Sequence, residues 1–390
     1  MSKGHRLRVC FVAEHPASGT IGGAEVAMSI LADELANEGV CVQYVSQRHF
    51  TARNIRLHRI PYATRIIEKT VRNRRRLGRL STDRGQANAS GHDRSGSGAM
   101  GKLRFVLDRI YKKGYKSALS HANADLYIQV CAGRQTAYVA DYCGKNAKPF
   151  IFRSTSLWDA DLTFTWGWTT WSEYTRSLYL EGLAQADIVA CNSKHTAESF
   201  SKHVSEDKVR FLPDGFRITP RSDLSRDDGY ILWVGRDKPY KRPSLFADLA
   251  RRLPAYTFIM VGDIRTIQNP PSNLRLLGPK KPGELPRIYL GAKLLVNTSE
   301  VEGFPNVLVE AAIHGVPYVG FLDPDGVVAQ HLLGTQSKDL DDMAGMVHML
   351  MGDEDLRLKL GMNARRFVEE HHDIEKVAKR WLGLFHKLTA

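Results

Sequence analysis

Two glutamates eight residues apart, Glu302 and Glu310, flank the segment whose residue types and spacing point most clearly to chemistry. Pro305 suits the first position of a helix, so the sequence predicts a helix over 305–314 with Glu302 in the loop before it. The first amides of such a helix lack partners and lie at its positive end, which favours an anion such as a diphosphate. Carboxylates on either side of that anion can accept hydrogen bonds from hydroxyl groups. The residues expected to line this site between the two glutamates are Gly303, Phe304, Pro305, Asn306 and Val307.

Another use of two carboxylates is the acid and base pair of a glycosidase, in which the groups face each other across one bond. Glu302 and Glu310 share one loop and helix with an anion site between them, which fits that role poorly. Glu302 could also be a plain acidic residue at a helix start, but Gly303 and Pro305 shape the turn in a way that favours binding.

A basic loop follows the buried strand predicted over 229–235. Its cations, Arg236 and Lys241, come after Gly235 and before the next helix. At the carboxyl edge of a sheet, two cations can neutralise the charge that builds on a diphosphate leaving group. A basic loop is often only a solvated surface, but this one lies in the same half of the chain as Glu302.

A third loop, between the first predicted strand and the first helix, carries the paired glycines Gly22 and Gly23. Glycines at a helix start allow backbone amides to approach an anion closely. The loop is neither a Gly-x-Gly-x-x-Gly dinucleotide motif nor a P-loop, so by itself it is a weak indication.

Short apolar segments alternate with helical patterns along the chain. This alternation predicts an α/β protein with parallel sheets covered by helices on both faces. We expect two Rossmann-like, doubly wound domains that face each other across a cleft, with ligands at the carboxyl ends of the strands. The predicted strands are 7–13, 40–46, 125–130, 149–153 and 187–191 in the first half, and 229–235, 256–262, 273–278, 293–298 and 316–321 in the second.

The polar stretch 218–228 separates the two series of strands and is predicted to be a linker between domains. The N-terminal domain then spans residues 1–217 and the C-terminal domain spans 229–372. The last residues, 373–390, are predicted to form a helix that packs back on the N-terminal domain.

The composition is that of a globular protein, with 390 residues of which 43% are hydrophobic and 25% charged. These values exclude a wholly disordered chain, a collagen and a disulfide scaffold. No apolar stretch approaches the ~20 residues that span a bilayer, and the apolar N-terminal segment is too short for a signal peptide, so we expect a cytoplasmic protein. The cysteines lack metal-ligand spacing and are expected to be buried, reduced thiols: Cys10, Cys41, Cys131, Cys143 and Cys191.

The net charge of +13 comes from one segment, residues 48–116, which contains 19 of the 55 basic residues and 4 of the 42 acidic ones. Within it, residues 70–101 are predicted to form a mobile loop and 102–116 a basic amphipathic helix. A polybasic segment attracts anionic lipid headgroups or a phosphorylated lipid. A solvated cationic face is the alternative. Nucleic acid is disfavoured because no nucleic-acid motif accompanies the segment.

Together these motifs resemble those of the retaining glycosyltransferases of family 4. The segment from Glu302 to Glu310 is similar to the E-x7-E motif of that family, and the likeness covers nearly the whole chain in matching order. The other matching segments are Val234-Gly235-Arg236 with Lys241, Gly22-Gly23-Ala24-Glu25, Asn192-Ser193, Leu276-Leu277-Gly278 and Asp323-Pro324-Asp325-Gly326.

The resemblance implies a GT-B fold in which the C-terminal domain holds a nucleotide-sugar and the N-terminal domain binds the acceptor. It implies that Glu302 contacts the donor sugar and Glu310 the ribose hydroxyls. Arg236 and Lys241 would hold the diphosphate and, with Glu302, would be the catalytic residues. The implied donor-binding residues are Gly22, Gly23, Gly235, Arg236, Lys241, Gly278, Glu302, Gly303, Phe304, Pro305, Asn306, Val307 and Glu310. Transfer would keep the anomeric configuration, and the protein's cations would make a metal or other cofactor unnecessary.

The chain departs from the family in one place. Many relatives carry a histidine after an N-terminal strand, near the reacting sugar, whereas residues 152–159 contain none. Ser154, Thr155 or Asp159 is then the candidate for that contact, and no catalytic base is assigned.

The sequence therefore predicts a retaining glycosyltransferase that moves a sugar from a nucleoside-diphosphate-sugar, such as a UDP-sugar, to a saccharide or lipid-linked acceptor in polysaccharide or glycolipid synthesis. Peripheral contact with an anionic membrane through residues 48–116 is part of this prediction. Two alternatives stay open: a nucleotide-sugar epimerase or phosphorylase on the same fold, and a non-catalytic protein that binds membranes or nucleic acid.

Overall fold

The computed structural model of the protein describes residues 6–13, 22–46, 55–60, 99–162, 172–218 and 229–390, with the backbone alone for 99–107. Its described strands form two sheets, one of seven strands and one of six. All strand pairs in both sheets are parallel. This confirms the predicted α/β class with two parallel sheets.

The first sheet has the strand order β3-β2-β1-β4-β5-β6-β7. Successive residues of β1 alternate between two hydrophobic clusters, with Val9 and Phe11 in one and Cys10 and Val12 in the other. Both faces of the sheet are therefore buried, as parallel sheets require. Its strands are β1 Arg8–Ala13, β2 Cys41–Ser46, β3 Arg56–Arg59, β4 Leu126–Val130, β5 Phe150–Ser154, β6 Ile188–Cys191 and β7 Val209–Phe211.

The second sheet has the strand order β10-β9-β8-β11-β12-β13. It is buried on both faces in the same way, since Ile231 and Trp233 belong to one cluster and Leu232 to the other. Its strands are β8 Tyr230–Val234, β9 Phe258–Val261, β10 Leu274–Leu276, β11 Ala292–Asn297, β12 Tyr318–Gly320 and β13 Gly334–Gln336.

Helices cover both sheets, and several begin at a side-chain cap. The hydroxyl of Ser193, for example, accepts a hydrogen bond from the amide of Thr196. The described α-helices are α1 Gly23–Asn37, α2 Ala99–Ala122, α3 Gln135–Lys145, α4 Glu173–Ala184, α5 Lys194–Ser201, α6 Pro243–Arg252, α7 Leu285–Leu290, α8 Asn306–Ile313, α9 Val327–Gln330, α10 Leu340–Gly352, α11 Glu354–His371 and α12 Ile374–Thr389. None of them combines the length and apolar content needed to cross a membrane.

The chain crosses between the two sheets twice, and the two crossings are hydrogen-bonded to each other. The amide of Phe216 donates to the carbonyl of His372 at 2.8 Å, and the amide of Ile374 donates to the carbonyl of Phe216 at 3.0 Å. After the second crossing, α12 places Trp381 and Phe385 in a hydrophobic cluster of the first sheet. The two sheets therefore meet along a paired connection with a helix folded back over it.

Three strands, β3, β7 and β13, were not predicted from the sequence. Each lies at the edge of its sheet. Their segments, Arg56–Arg59, Val209–Phe211 and Gly334–Gln336, are short and largely exposed or half-buried. An edge strand has only one neighbour and needs no continuous apolar run, so the periodicity that reveals central strands is missing here.

Two other sequence predictions need correction. Helix α2 begins at Ala99, so the end of the loop predicted over 70–101 is helical, because Ala99 and Met100 favour a helix. The rest of that loop, and residues 219–228 of the predicted linker, lie outside the described residues. All five cysteines are free, but Cys41 and Cys131 are only partly buried, since they lie at or beyond strand ends.

Candidate active site

The predicted loops meet at the carboxyl edge of the second sheet. Strands β8 and β11 are parallel neighbours at its centre, and β9 pairs with the other side of β8. The strand order reverses between β8 and β11, so the loops that follow these two strands leave a crevice at a topological switch point. Arg236 follows β8 and Glu302 follows β11, which brings the two predicted loops side by side.

Lys241 and Glu302 form an ion pair in this crevice, in which Nζ of Lys241 donates to Oε1 of Glu302. Lys241 ends a 3-10 turn over Pro239–Lys241, and Glu302 lies in the loop after β11. The side chains are only 18% and 12% exposed. Salt screens such a sheltered pair weakly, so each group holds the other in place.

Thr298, the first residue after β11, fixes the turn that carries Lys241. Its hydroxyl donates to the Lys241 carbonyl at 2.7 Å and accepts from Nε1 of the buried Trp233 at 3.0 Å. Arg242 has a left-handed backbone with φ of 47° and donates from Nε to the Thr298 carbonyl at 2.8 Å. These bonds hold a strained turn in place. The sequence analysis missed both residues, although a threonine directly after an apolar strand was a usable signal.

Helix α8 begins one residue later than predicted. Pro305 has an extended backbone (φ −74°, ψ 117°) and precedes the helix, whose first residue is Asn306. The proline ring fixes φ but leaves ψ free, so the same residue fits either position. The Leu308 amide bonds to the Pro305 carbonyl, whereas the amides of Asn306 and Val307 open the helix.

The glycine pair of the first half approaches this helix start. Nδ2 of Asn306 donates to the Gly23 carbonyl at 2.8 Å. A Cβ on Gly23 would lie 2.7 Å from that nitrogen, and a Cβ on Gly22 would lie 3.6 Å from both terminal nitrogens of Arg236. The absence of a side chain at Gly23 therefore lets the start of α8 come close to α1, while Arg236 lies at ordinary contact distance from Gly22.

Gly303 packs against the first sheet in a similar way. A Cβ there would lie 3.1 Å from Oδ1 of Asn192 and 3.4 Å from Cα of Ser156. Asn192 follows β6, is 3% exposed, and donates from Nδ2 to the carbonyl of Thr155 at 3.3 Å. The loop that carries Glu302 therefore contacts the strand ends of the first sheet directly.

An aromatic contact joins the two halves beside Lys241. The ring of Trp158, on the 3-10 turn Leu157–Ala160 after β5, meets the ring of Tyr240 edge to face, with centroids 4.9 Å apart. Tyr240 precedes Lys241 in the same turn, so this contact lies directly at the candidate site.

Glu310 lies in the second turn of α8, and a buried tyrosine holds its carboxylate. The hydroxyl of Tyr289 donates to Oε2 of Glu310 at 2.6 Å. Burial raises the pKa of Glu310 to about 7, although the Tyr289 hydrogen bond lowers it. The carboxyl group therefore exchanges its proton near neutral pH.

The remaining predicted residues have different surroundings. Phe304 and Val307 pack with a hydrophobic cluster of the second sheet. Gly278 follows β10 with a φ of 67°, and its carbonyl accepts from the Gly262 amide at 3.1 Å. A Cβ on Gly235 would meet the Trp233 ring at 2.7 Å, so Gly235 serves close packing at the strand end.

Ser154, Thr155 and Asp159, the candidates in place of a histidine, are joined by hydrogen bonds. Asp159 is 7% exposed, and its carboxylate accepts from the amides of Ala132 and Thr155 at 3.0 and 2.9 Å. Burial raises its pKa, and these bonds oppose that shift. The hydroxyl of Ser154 also donates to it, at 3.3 Å. Asp159 and Ser154 thus brace the loop after β5. Within the described part of the chain, no three His, Cys, Asp or Glu side chains are grouped to hold a metal ion.

Comparison with known proteins relates the second half to glycosyltransferases. Residues 216–367 match the family model of the glycosyl transferases group 1. The alpha-galactosylglucosyldiacylglycerol synthase of Streptococcus pneumoniae (strain ATCC BAA-255 / R6) is 29% identical over 150 residues, or 35% of this chain. The aligned part spans 39% of that relative's length.

Solved structures are similar over nearly the whole chain. Sucrose-phosphate synthase from Thermosynechococcus elongatus has a TM-score of 0.74 at 16% identity, covering 98% of this chain and 99% of that one. HepE from Anabaena, in complex with UDP-glucose, has a TM-score of 0.68 at 14% identity, covering 98% and 100%. At these identities the likeness concerns the fold, and it confirms the predicted GT-B arrangement of two Rossmann-like domains.

Proposed function

We propose that the protein is a retaining glycosyltransferase that moves a sugar from a nucleoside-diphosphate-sugar to a saccharide or lipid-linked acceptor, in polysaccharide or glycolipid synthesis. The observation that carries this proposal is the Lys241–Glu302 ion pair at the switch point of the second sheet, beside the start of α8. The family match over 216–367 supports it, because that range contains both residues and Arg236.

In this proposal the diphosphate of the donor lies against Arg236, Lys241 and the first amides of α8. Their positive charge stabilises the phosphate oxygens as the bond between the sugar and the diphosphate breaks. The ammonium group of Lys241 has three donors, so it can keep its bond to Glu302 and still reach a phosphate oxygen. Glu302 then accepts a hydrogen bond from a hydroxyl of the donor sugar.

The acceptor in this proposal approaches from the first sheet, and an anionic or lipid-linked acceptor suits its surface. Helix α2 buries Tyr111 and Leu119 while it exposes Arg109, Lys113 and Lys116, so its described part is amphipathic and basic. The name of the pneumococcal relative, a synthase of a glycosylated diacylglycerol, supports a lipid-linked acceptor. We propose that residues 48–116 bring the protein to an anionic membrane surface.

A panel of UDP-, GDP- and ADP-sugars, each assayed with and without a mixture of saccharide and glycolipid acceptors, tests this function. We expect release of the nucleoside diphosphate only when donor and acceptor are both present, with the α or β configuration of the donor kept in the product. Consumption of the donor without acceptor would indicate an epimerase or phosphorylase. The same donors are also tested for binding by thermal unfolding of the protein. Failure of every donor to raise the midpoint of unfolding would favour a non-catalytic binding protein.

A further inference from the structure

Tyr289, Glu310 and His314 form a compact network behind the candidate site. Tyr289 lies on α7, is 1% exposed, and donates its hydroxyl to Oε2 of Glu310 at 2.6 Å. Its ring is stacked on the His314 ring, with centroids 5.6 Å apart and planes 12° apart. His314 follows α8, and its Nδ1 lies 2.7 Å from the backbone carbonyl of Glu310. Two residues therefore fix the side chain and the backbone of one carboxylate residue.

The hydrogen bond of His314 fixes its tautomer, and its surroundings fix its charge. Because a carbonyl only accepts, Nδ1 of His314 carries the proton and donates it. Burial and the nearby Arg365 lower the pKa of His314, so its ring is neutral around pH 7. Arg365 reaches the network from α11, where it donates to the carbonyl of Ile313. The titratable groups that face Glu310 are therefore Tyr289 and the neutral His314, with Arg365 one layer behind.

The hydrogen bond from Tyr289 engages Oε2 of Glu310 and leaves Oε1 to meet a ligand. Tyr289 occupies Oε2 from the buried side, and the stacked His314 ring restrains the Tyr289 ring. A carboxylate that is held by one oxygen presents the other in a fixed direction, which lowers the entropy lost when a pair of neighbouring hydroxyl groups binds. No motif from the sequence predicted this partner, because Tyr289 lies 21 positions before Glu310.

We propose that Tyr289 is a positioning residue that orders the Glu310 carboxylate to bind the vicinal hydroxyls of the nucleotide ribose. The inference rests on the proposed function, since it takes Glu310 as part of a nucleotide-sugar site. Tyr289 does not touch the ligand. It acts on Glu310, and its loss lowers the affinity for the ribose hydroxyls while contacts to base and phosphates stay unchanged.

The test compares nucleotides that differ only in those hydroxyls. UDP, GDP and ADP are titrated calorimetrically into the wild-type protein, and the tightest is then compared with its 2′,3′-dideoxy form. We expect the wild type to bind the ribonucleotide roughly tenfold more tightly or better, as for lost hydrogen bonds to a charged group. In Tyr289→Phe the ratio falls at least about threefold because ribonucleotide affinity drops, while dideoxynucleotide affinity stays within about twofold of wild type.

Two further variants show whether the effect of Tyr289 acts through Glu310. Glu310→Gln should lower the same ratio, and adding Tyr289→Phe to it should lower the ratio no further, because both act through one contact. Tyr256→Phe is the matched control: it removes a phenolic hydroxyl that meets Nδ1 of His348 at the surface of the same half, and should leave the ratio unchanged. A thermal melt of each variant verifies that it is folded.

The pH dependence gives a second readout. Loss of the Tyr289 hydrogen bond removes an interaction that favours the charged carboxylate, so the pH at which ribonucleotide binding changes should move upward in Tyr289→Phe. An unchanged ratio and an unchanged pH profile in folded Tyr289→Phe overturn the inference and leave the proposed function intact. Failure of the wild type to bind any of the three nucleotides overturns the proposed function, and this inference with it.

Discussion

The carboxylate of Asp325 accepts a hydrogen bond from the backbone amide of Lys194 at 2.7 Å, across the cleft between the two halves of the protein. The same carboxylate accepts from the amide of His195 at 3.0 Å, so an acidic residue of the second half covers the start of α5 in the first. Asp325 does this from a left-handed backbone with φ of 56°, a conformation that aspartate tolerates better than most residues. A negative charge at a helix start is favourable, and this contact therefore fastens the two halves together.

We predict that Asp325→Ala opens the cleft. The variant loses two hydrogen bonds to helix-start amides, which together contribute about 1–2 kcal/mol to the closed arrangement. Small-angle X-ray scattering should show a larger radius of gyration than in the wild type. Asp263→Ala is the control, because Asp263 is exposed and pairs with Arg265 on the surface of the second half. Equal radii for wild type and Asp325→Ala would show that the contact does not hold the cleft.

The second prediction concerns the close approach of Gly23 to Asn306. In Gly23→Ala the new methyl group would lie 2.7 Å from Nδ2 of Asn306, so the Asn306 side chain at the start of α8 must move. We expect donor turnover to fall roughly ten- to a hundredfold with little loss of stability, because small displacements at a site are costly and alanine favours a helix. Steady-state kinetics with the accepted nucleotide-sugar measures the effect.

Two variants identify the cause of that loss. Adding Asn306→Ala to Gly23→Ala removes the steric conflict, so the double variant should be no worse than Asn306→Ala alone. Gly345→Ala, in α10, adds a methyl group to open space and should behave as the wild type. Strictly additive losses for Gly23 and Asn306 would contradict the steric explanation.

The third prediction is a pH-dependent effect on stability at Glu310. Burial raises its pKa from the ordinary value of 4.5 to about 7, so between these limits the folded state binds the proton more tightly than the unfolded state. Proton binding to Glu310 therefore stabilises the folded state. This stabilisation is complete below pH 4.5 and is lost as the pH rises through 7, which changes the free energy of unfolding by about 3 kcal/mol. Glu310→Gln does not titrate, so its free energy of unfolding relative to wild type should rise by that amount between pH 4.5 and 8.

Urea unfolding of both proteins across this pH range measures the difference. Glu300→Gln, which changes an exposed glutamate in the loop after β11, is the control for the loss of a carboxyl group at the surface. Parallel pH profiles for wild type and Glu310→Gln would mean that the Glu310 carboxyl titrates in its ordinary range.

The fourth prediction concerns the basic segment, of which Arg72, Arg74, Arg75 and Arg76 lie outside the described residues. Reversing these four charges to glutamate should reduce co-sedimentation with phosphatidylglycerol vesicles by at least tenfold, since each basic residue near an anionic surface contributes about 1 kcal/mol. Nucleotide binding should not change. Undiminished co-sedimentation would assign the charge to a solvated face. A control variant reverses the charges of four exposed lysines outside this segment, Lys202, Lys338, Lys359 and Lys379.

The architecture could be predicted from the sequence because strands buried on both faces form short apolar runs. The ten strands predicted from apolar runs are all present, whereas β3, β7 and β13 are edge strands whose exposed residues carry no such run. Pro305 illustrates the limit at element boundaries: its ring fits both the first helical position and the position before it, and the structure selects the latter.

Side-chain partners were much less predictable than loops. Arg236, Lys241 and Glu302 stand out by residue type, but the pairing of Lys241 with Glu302 depends on β8 lying beside β11 and on Thr298 between them. Contacts of this kind join residues that are far apart in sequence. The hydrogen bond from Tyr289 to Glu310 likewise depends on how α7 packs on α8, and no local pattern encodes it.

We propose that Glu302 and Lys241 act together on a nucleotide-sugar in the cleft. The most direct test of this proposal is the rate of nucleoside diphosphate release, with donor and acceptor present, for Glu302→Gln and Lys241→Ala. The matched controls are Glu300→Gln and Lys338→Ala, which change exposed residues of the same types in the same half. Removal of a group that stabilises the transition state costs roughly a hundred- to a thousandfold in rate, and we predict losses of this size for both site variants and none for the controls. Wild-type rates from folded Glu302→Gln and Lys241→Ala would show that these two residues do not act in the reaction.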